Sequence, residues 1–293
     1  MAAHPKGANW WQVPLVRQHI NRLVAGLPCG TGASAGTVAL LKRLAAGRVF
    51  RRAISVGAGV GIKEMLLLQN GLVEEVDLFE LSSKRIAEGQ ERATKLGLDG
   101  RVHFHSSDAF QSVAEASVDL VYWNNALHHM FDVEEAVKWS YSIMETGGLF
   151  YMDDFVGPNR RQWSQKALAL GSRIREILPE RYLRKTVDDK AQTSLLPRQL
   201  VREDPQRIAA QDPSEAVDSQ NIMAAVRRFF PKATIIPTGG VVYHMTLSRI
   251  FPNFDPEDER DKALLEALLL VDELCLEIPG LETHYCVAAG WKD

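Results

Sequence analysis

The feature that most constrains this chain is a glycine-rich turn at residues 56–61, V-G-A-G-V-G, between a short apolar run and a helical pattern. Glycines in such a turn permit a tight bend, close approach of a ligand to the backbone, and a helix that begins beside the strand. The spacing is G-x-G-x-G, because Ile62 stands where a dinucleotide-binding G-x-G-x-x-G pattern needs its third glycine. The turn therefore predicts a nucleotide-type ligand at the end of a first strand.

Strand and helix patterns alternate after this first strand. Short strand patterns occur at residues 53–56, 76–80, 102–105, 118–123 and 149–152, and two more at 233–236 and 284–289. Alternation with short loops is typical of an α/β fold in which helices cover both faces of a parallel sheet. We therefore predict a doubly wound, mostly parallel, seven-stranded sheet.

The chain divides into three regions by pattern. Residues 1–50 are helical and predict a cap or lid, residues 51–155 predict the ligand-binding core, and residues 156–293 predict further cap helices with the last strands. Within the third region, the pattern predicts a basic helix over residues 160–189, a loop over 197–213 and a strand-like apolar run at 241–247.

Composition excludes several classes of protein. The 293 residues are 46% hydrophobic, which is enough for a sizeable core, and the net charge of −3 argues against a general nucleic-acid binder. The three cysteines form no C-x-x-C pair, so neither a disulfide framework nor a cysteine zinc site is expected. With neither a signal-peptide pattern nor an 18-residue apolar run, we expect a cytoplasmic protein that does not bind membranes.

Polar residues follow the predicted strands at one edge of the sheet. Glu80 ends the second strand, where an acid can accept hydrogen bonds from ribose hydroxyls, and Asp108 follows the third, where it could contact an adenine amino group. Asn124 follows the fourth strand and precedes His128 and His129. Because parallel strands end at the same edge, these residues should face one crevice.

Taken together, residues 50–155 resemble the class I S-adenosylmethionine-dependent methyltransferases, which have a Rossmann-like sheet, here with helical cap segments. The resemblance implies S-adenosylmethionine as cofactor and S-adenosylhomocysteine as product. It implies contacts of the glycine turn with the amino-acid half, of Glu80 with the ribose, and of Asn124, through its backbone, with the region of the sulfonium. The implied cofactor-binding residues are Gly57, Ala58, Gly59, Gly61, Glu80, Leu81, Asp108, Ala109 and Asn124. One departure is Glu145-Thr146-Gly147-Gly148, where the family often has Lys-Pro-Gly-Gly.

The expected reaction is in-line transfer of a methyl group to an oxygen or nitrogen of a small-molecule acceptor. The cofactor carries the activated methyl group, so the protein must align the reactants and exclude water. Four residues at strand ends are candidates for a general base or for orienting the acceptor: His128, His129, Asp153 and Asp154. A capping or structural role remains open for each of them.

Other interpretations compete with this one. A metal could be held by His103, His105, His128 and His129, but the first two alternate along what should be an edge strand, so we predict no metal. A nicotinamide-dependent (NAD(P)) oxidoreductase is the second candidate, and Ile62 counts against it. A non-catalytic S-adenosylmethionine-binding protein is the third.

Several residues have both a functional and a structural interpretation. The basic residues of 160–185 could face an anionic substrate or form a solvated helix face. Trp10 and Trp11 could cover the site or pack in the core, as could Trp163, and Tyr243 with His244 could reach the substrate pocket. Apolar faces of the terminal helices could pair two subunits as a homodimer.

Overall fold

A computed structural model describes residues 9–185 and 194–293, so the last part of the basic helix predicted to end at residue 189 lies outside the described residues. The strands are β1 Phe50–Val56, β2 Val73–Phe79, β3 Val102–His105, β4 Val118–Asn124, β5 Met144–Phe155, β6 Thr234–Gly239 and β7 Tyr285–Trp291. The α-helices are α1 Pro14–Ala25, α2 Ala35–Ala45, α3 Ile62–Gln69, α4 Ser83–Lys95, α5 Ala109–Ser112, α6 Val133–Ile143, α7 Gln165–Ile177, α8 Pro205–Gln211, α9 Ile222–Phe229 and α10 Glu259–Cys275.

The strands form one seven-stranded sheet in the order β3-β2-β1-β4-β5-β7-β6. The first five strands in this order, from β3 through β2, β1 and β4 to β5, are parallel to their neighbours. Strand β7 runs antiparallel to both of its neighbours, β5 and β6. The predicted seven-stranded, mostly parallel sheet is confirmed. The strand order reverses between β1 and β4, so the crevice outside their carboxyl ends is where this kind of sheet binds a ligand.

Both faces of the sheet are covered, which explains the nearly continuous apolar strands. In β4 the first six residues, 118–123, are all buried. The one charged residue among them, Asp119, accepts hydrogen bonds from the backbone N–H groups of Arg51 and Arg52, each at 2.9 Å. A buried carboxylate is thus paired with the otherwise unpaired edge of β1 near its start.

A second apolar cluster lies over the carboxyl ends of the strands. Side chains from α1, α7 and α10, including Val16, Leu168 and Leu265, form it together with the segment around Tyr243. These elements come from the beginning and the end of the chain. In the described ranges, no helix combines the length and apolar character that a membrane span requires.

Three local predictions were wrong. The basic helix is confined to α7, because Ser164 caps its start and the chain becomes extended at Leu178, before Pro179. The predicted loop at 197–213 contains the short helix α8, whose start is capped by Asp204.

The apolar run at 241–247 is a π-helical turn, Val241–Thr246, rather than a strand. Gly239 and Gly240, with φ of 86° and 116°, turn the chain away from the sheet directly before it. The buried Asp272 carboxylate then accepts the backbone N–H groups of Gly240, at 3.0 Å, and Val242, at 2.5 Å. The apolar residues of 241–247 do not reveal that a carboxylate far away in sequence fixes this turn.

Candidate functional site

The glycine turn leaves β1 and enters α3. A side-chain Cβ at Gly61 would lie 2.6 Å from Leu78 Cδ1, so only glycine lets the start of α3 pack this closely on β2. A Cβ placed on Gly59 would have no atom of another part of the chain within 4 Å. The backbone of Gly59 therefore borders open space, as a turn that receives a ligand must.

Glu80 connects the end of β2 to this turn. Its side chain is buried, and it accepts hydrogen bonds from Gly59 N at 2.9 Å and from Ser82 N at 2.8 Å. One donor binds each carboxylate oxygen, which leaves lone pairs on both oxygens for further donors. The neighbouring Leu81 is 82% exposed, which is unusual for a large apolar side chain. Its exposed apolar surface could pack against the face of a planar ring.

The next two strand ends supply Asp108 and Asn124. Asp108 caps α5 by accepting from Phe110 N at 3.0 Å, and the adjacent Ala109 is buried. The Asn124 side chain accepts a hydrogen bond from the Lys63 ammonium group and donates to the Tyr122 hydroxyl at 3.3 Å. Lys63 was not predicted as a site residue, although it lies in the first turn of the helix that the glycine turn opens.

His128 and Asp154 form a buried pair at the ends of β4 and β5. The distance between His128 Nδ1 and Asp154 Oδ1 is 2.5 Å, and Asp154 is fully buried. Asp154 also accepts the backbone N–H groups of Ala126, Leu127 and Phe155, at 2.8–2.9 Å. The carboxylate therefore fixes both the turn that carries His128 and the orientation of its imidazole ring.

The charge states of this pair support each other. Burial by itself would lower the pKa of His128, but the Asp154 carboxylate outweighs burial and raises that pKa above its ordinary value. Burial would likewise raise the pKa of Asp154, yet the charge and hydrogen bond of His128, with the N–H groups of Ala126 and Leu127, hold it below its ordinary value. Asp154 is thus ionised and accepts from the Nδ1–H of His128, which leaves Nε2 as the reactive nitrogen.

His129 and Asp153 differ from this pair. His129 Nδ1 lies 2.9 Å from the Ser214 hydroxyl, and burial together with the neighbouring His128 lowers its pKa. Burial raises the pKa of Asp153, against the opposing effect of Lys63. No hydrogen bond to the Asp153 side chain is present within the described part of the chain.

A cavity of about 560 Å³ lies between the strand ends and the N-terminal helices. Four predicted site residues line it together: Asn124, His128, His129 and Asp153. Asp154 lies behind His128 instead, and the glycine turn, Glu80, Leu81, Asp108 and Ala109 lie outside this cavity's lining. The predicted residues thus separate into a strand-end group beside β2 and β3 and a group inside the cavity.

The cavity lining also contains residues that sequence reasoning missed or placed elsewhere. Arg17 and Thr37 contribute from the N-terminal region, while Glu215 and Tyr285 contribute from the C-terminal region. Trp10 and Trp11, for which the sequence left both a cover of the site and core packing open, also line the cavity. Glu215 lies in the segment D-P-S-E-A at residues 212–216, and no local pattern in that segment predicts that it borders the cavity.

The basic stretch forms neither a uniform solvated face nor a single anionic site. Arg161 lines the cavity, where it pairs with Glu215, and Arg175 is buried and donates to the backbone carbonyls of Thr246, Pro197 and Ser248. Trp163 packs in the core, with its ring centroid 4.3 Å from that of His284. Tyr243 lines the cavity, whereas His244 is absent from its lining.

The four-histidine metal alternative is wrong. His103 and His105 lie on the edge strand β3, beside Glu75 and Asp77. Among the described residues, the group with suitable donor atoms is His128, His129 and Glu215, whose atoms lie within 4.8 Å of one another.

Comparisons with known proteins agree with this architecture. Residues 54–152 match the family model described as a methyltransferase domain. A stretch of 79 residues is 30% identical to 27-O-demethylrifamycin SV methyltransferase of Amycolatopsis mediterranei (strain S699), covering 27% of this chain and 29% of that protein. The chain therefore matches less than a third of the length of this curated relative.

Two solved structures share the fold at low sequence identity. Phosphoethanolamine N-methyltransferase 2 of Haemonchus contortus, in complex with S-adenosyl-L-methionine, matches with a TM-score of 0.53 at 16% identity, covering 87% of this chain and 51% of that chain. Geranyl diphosphate C-methyltransferase of Streptomyces coelicolor A3(2) matches with a TM-score of 0.52 at 13% identity, covering 89% and 78%.

Sheet order, glycine turn and family match together define the class of this protein. Residues 54–152 form a class I S-adenosylmethionine-dependent methyltransferase domain. The family resemblance found in the sequence is thereby confirmed.

Proposed function

We propose that the protein transfers a methyl group from S-adenosylmethionine to an oxygen or nitrogen atom of a small-molecule acceptor by in-line displacement. The observation that carries the proposal is the His128–Asp154 pair, which places an oriented imidazole on the wall of a cavity at the sheet's ligand-binding edge. An imidazole in this setting can take a proton from a hydroxyl group as its oxygen attacks, or from an ammonium group before the resulting amine attacks.

The residues present fit S-adenosylmethionine. Gly59 borders open space, and the buried carboxylate of Glu80 has free lone pairs for two ribose hydroxyls. Leu81 exposes an apolar surface for the adenine ring. Gly57, Ala58 and Gly61 would shape the turn around the amino-acid half, Asp108 with Ala109 would hold the adenine edge, and Asn124 would contact the sulfonium region.

The cofactor, when bound, supplies an activated methyl group. His128 would accept the acceptor's proton at Nε2, because Asp154 holds the Nδ1–H tautomer. Asp154 acts through His128 and is a positioning residue, since it lies behind the ring and outside the cavity lining. His129 and Asp153 line the cavity and would orient the acceptor, while the cap segments exclude water.

The proposed base supports an oxygen or a nitrogen acceptor. A hydroxyl group loses its proton as the oxygen attacks, and an ammonium group must lose a proton before its nitrogen has a lone pair with which to attack. An imidazole near the reacting atom can accept either proton. The rifamycin relative is named for methylation at an oxygen and the Haemonchus enzyme for methylation at a nitrogen, whereas the Streptomyces enzyme is named for methylation at carbon. Carbon methylation is therefore an outcome that the acceptor screen must include.

The first experiment is calorimetric titration with S-adenosylhomocysteine, with NADH as the control. We expect micromolar binding of S-adenosylhomocysteine and none of NADH, as well as transfer of radiolabel from [methyl-³H]S-adenosylmethionine in an acceptor screen. Preference for NADH would instead support the oxidoreductase alternative. Binding without turnover on any oxygen, nitrogen or carbon acceptor would support the non-catalytic one. A cytoplasmic location and a homodimer stay predictions.

A further inference from the structure

Arg161 and Glu215 form an ion pair inside the cavity that leaves polar atoms of both residues open. Arg161 Nε and Nη2 donate to Glu215 Oε1, at 3.2 and 2.7 Å. Arg161 Nη1 and Glu215 Oε2 make no hydrogen bond to any residue that the structure describes. The pair therefore presents one donor group and one acceptor group side by side.

This pair lies next to the proposed base. A carboxylate oxygen of Glu215 and ring nitrogens of His128 and His129 lie within 4.8 Å of one another. The two charges of the pair act on His128 in opposite directions, with Glu215 raising and Arg161 lowering the pKa of that residue. His129 is connected to the same loop through Ser214, which lies 2.9 Å from its Nδ1. A group held by Arg161 and Glu215 would thus belong to the same molecule that presents its reacting atom to His128.

The two loops that carry the pair are held rigidly. The guanidinium group of Arg160 donates to the backbone carbonyls of Asp212, Pro213 and Glu215, at 2.7–3.3 Å, and Arg160 N donates to Ala216 O at 2.7 Å. Arg160 and Arg161 both adopt left-handed conformations, with φ of 51° and 53°. Non-glycine residues persist in that region where surrounding contacts over-determine them, a pattern that favours a preorganised site.

We propose that Arg161 and Glu215 form a subsite for an uncharged part of the acceptor that carries neighbouring hydroxyl groups. A carboxylate or phosphate on the acceptor would be repelled by Glu215, and an ammonium group would be repelled by Arg161. A hydroxyl group both accepts and donates, so two adjacent hydroxyls satisfy Arg161 Nη1 and Glu215 Oε2 together. This inference rests on the proposed function, because it specifies the acceptor of the same site.

Aromatic side chains of the same cavity suit the same class of molecule. Trp10 and Tyr285 both line the cavity, with their ring centroids 5.1 Å apart in an edge-to-face arrangement. Aromatic faces pack against the apolar C–H surface of a ring whose rim carries hydroxyl groups. A cavity that holds both aromatic rings and a charge-balanced ion pair therefore favours an uncharged polyhydroxylated ring over a charged one.

The test uses three probes with a common ring: methyl α-D-glucopyranoside, D-glucuronate and protonated D-glucosamine. Their binding to the full-length protein saturated with S-adenosylhomocysteine is compared by saturation-transfer-difference NMR at pH 6.5. We expect the neutral probe to bind best to the wild type. Glu215→Gln should shift the preference towards glucuronate, and Arg161→Gln towards glucosamine, each by about tenfold, because each variant leaves one charge uncompensated.

The controls separate this inference from the proposed function. Glu134→Gln and Arg228→Gln disrupt an exposed ion pair outside the cavity lining and should leave the order of the three probes unchanged. Unchanged S-adenosylhomocysteine binding shows that each variant is folded, whereas failure of the wild type to bind it refutes the proposed function itself. The subsite is refuted if the wild type prefers a charged probe or binds none, or if both variants keep the wild-type order.

Discussion

Replacing Asp154 with Asn tests the central pair without changing its size. The Asp154 carboxylate accepts the ring N–H of His128 and the backbone N–H of Phe155 through Oδ1, and the N–H groups of Ala126 and Leu127 through Oδ2. An Asn side chain offers one oxygen and one NH₂ group, so one of these two sides must face donors with another donor. The least costly arrangement keeps the oxygen towards Ala126 and Leu127 and turns the NH₂ group towards His128. The imidazole can move its proton, and of the backbone N–H groups bound at 2.8–2.9 Å only that of Phe155 then loses its acceptor.

That arrangement changes the proton position on His128. An NH₂ group beside Nδ1 requires Nδ1 to accept, so the ring proton moves to Nε2 and the lone pair needed for catalysis is lost. The expected loss in kcat is about 10²–10⁴-fold, the usual contribution of a general base. Removing one partner of a buried ion pair should also cost about 3–5 kcal/mol of unfolding free energy, which lowers Tm by roughly 6–20 °C.

The tautomer can be measured without knowing the acceptor. Long-range ¹H–¹⁵N NMR of histidine-labelled protein should show protonated Nδ1 in the wild type and protonated Nε2 in Asp154→Asn, with a lower pKa of His128 in the variant. Asp153→Asn is the matched control on the adjacent residue, and it should change Tm much less because no described residue donates a hydrogen bond to that side chain. Retention of the Nδ1–H tautomer in Asp154→Asn would refute the proposed role of the carboxylate.

Three further predictions follow from the same structure. Methyl-transfer activity should fall as pH is lowered through a His128 pKa above 6.5, because the protonated ring has no lone pair, and a pH profile of kcat/KM checks this. Glu80→Ala should weaken S-adenosylhomocysteine binding by roughly 1–3 kcal/mol in calorimetry, because ribose hydroxyls lose their acceptor; unchanged affinity would contradict the site assignment. Gly61→Ala should destabilise the protein by about 1–3 kcal/mol more than Gly97→Ala in urea unfolding, since both residues have positive φ but only at Gly61 would the new Cβ meet Leu78. Equal losses of unfolding free energy at the two glycines would show that backbone strain alone, and not the contact with Leu78, causes the destabilisation.

The cofactor side of the site could be predicted from the sequence because its signals are local. Gly57 and Glu80 follow directly after a strand and Asp108 lies in the loop after β3, and the parallel arrangement of those strands brings their ends to one edge. The period of the apolar residues predicts the strands, and the strands in turn place the polar residues. No contact between distant segments has to be known for that inference.

The acceptor side depends on contacts that no local pattern contains. The π-helical turn that carries Tyr243 is fixed by Asp272, and the turn that carries Arg161 is fixed by carbonyl groups of residues 212–215. In both places a charged side chain hydrogen-bonds to backbone groups of a segment far away in sequence. Because the period of the apolar residues contains no information on such contacts, it predicted a strand-like run at 241–247 and one long helix over 160–189. The basic residues of 160–185 accordingly have separate roles that a net charge cannot distinguish.

The separation of the cofactor side from the acceptor side determines how substitutions can change the acceptor. Glu80 and the glycine turn share no described hydrogen bond with the loops at 158–161 and 212–216, whereas Arg160 and Arg161 join those two loops to each other. Sites without shared partners respond to substitution almost independently. Substitutions in the two loops should therefore alter which acceptor binds while leaving the affinity for the cofactor unchanged, unless they displace the Asp154 carboxylate on which the turn with His128 depends.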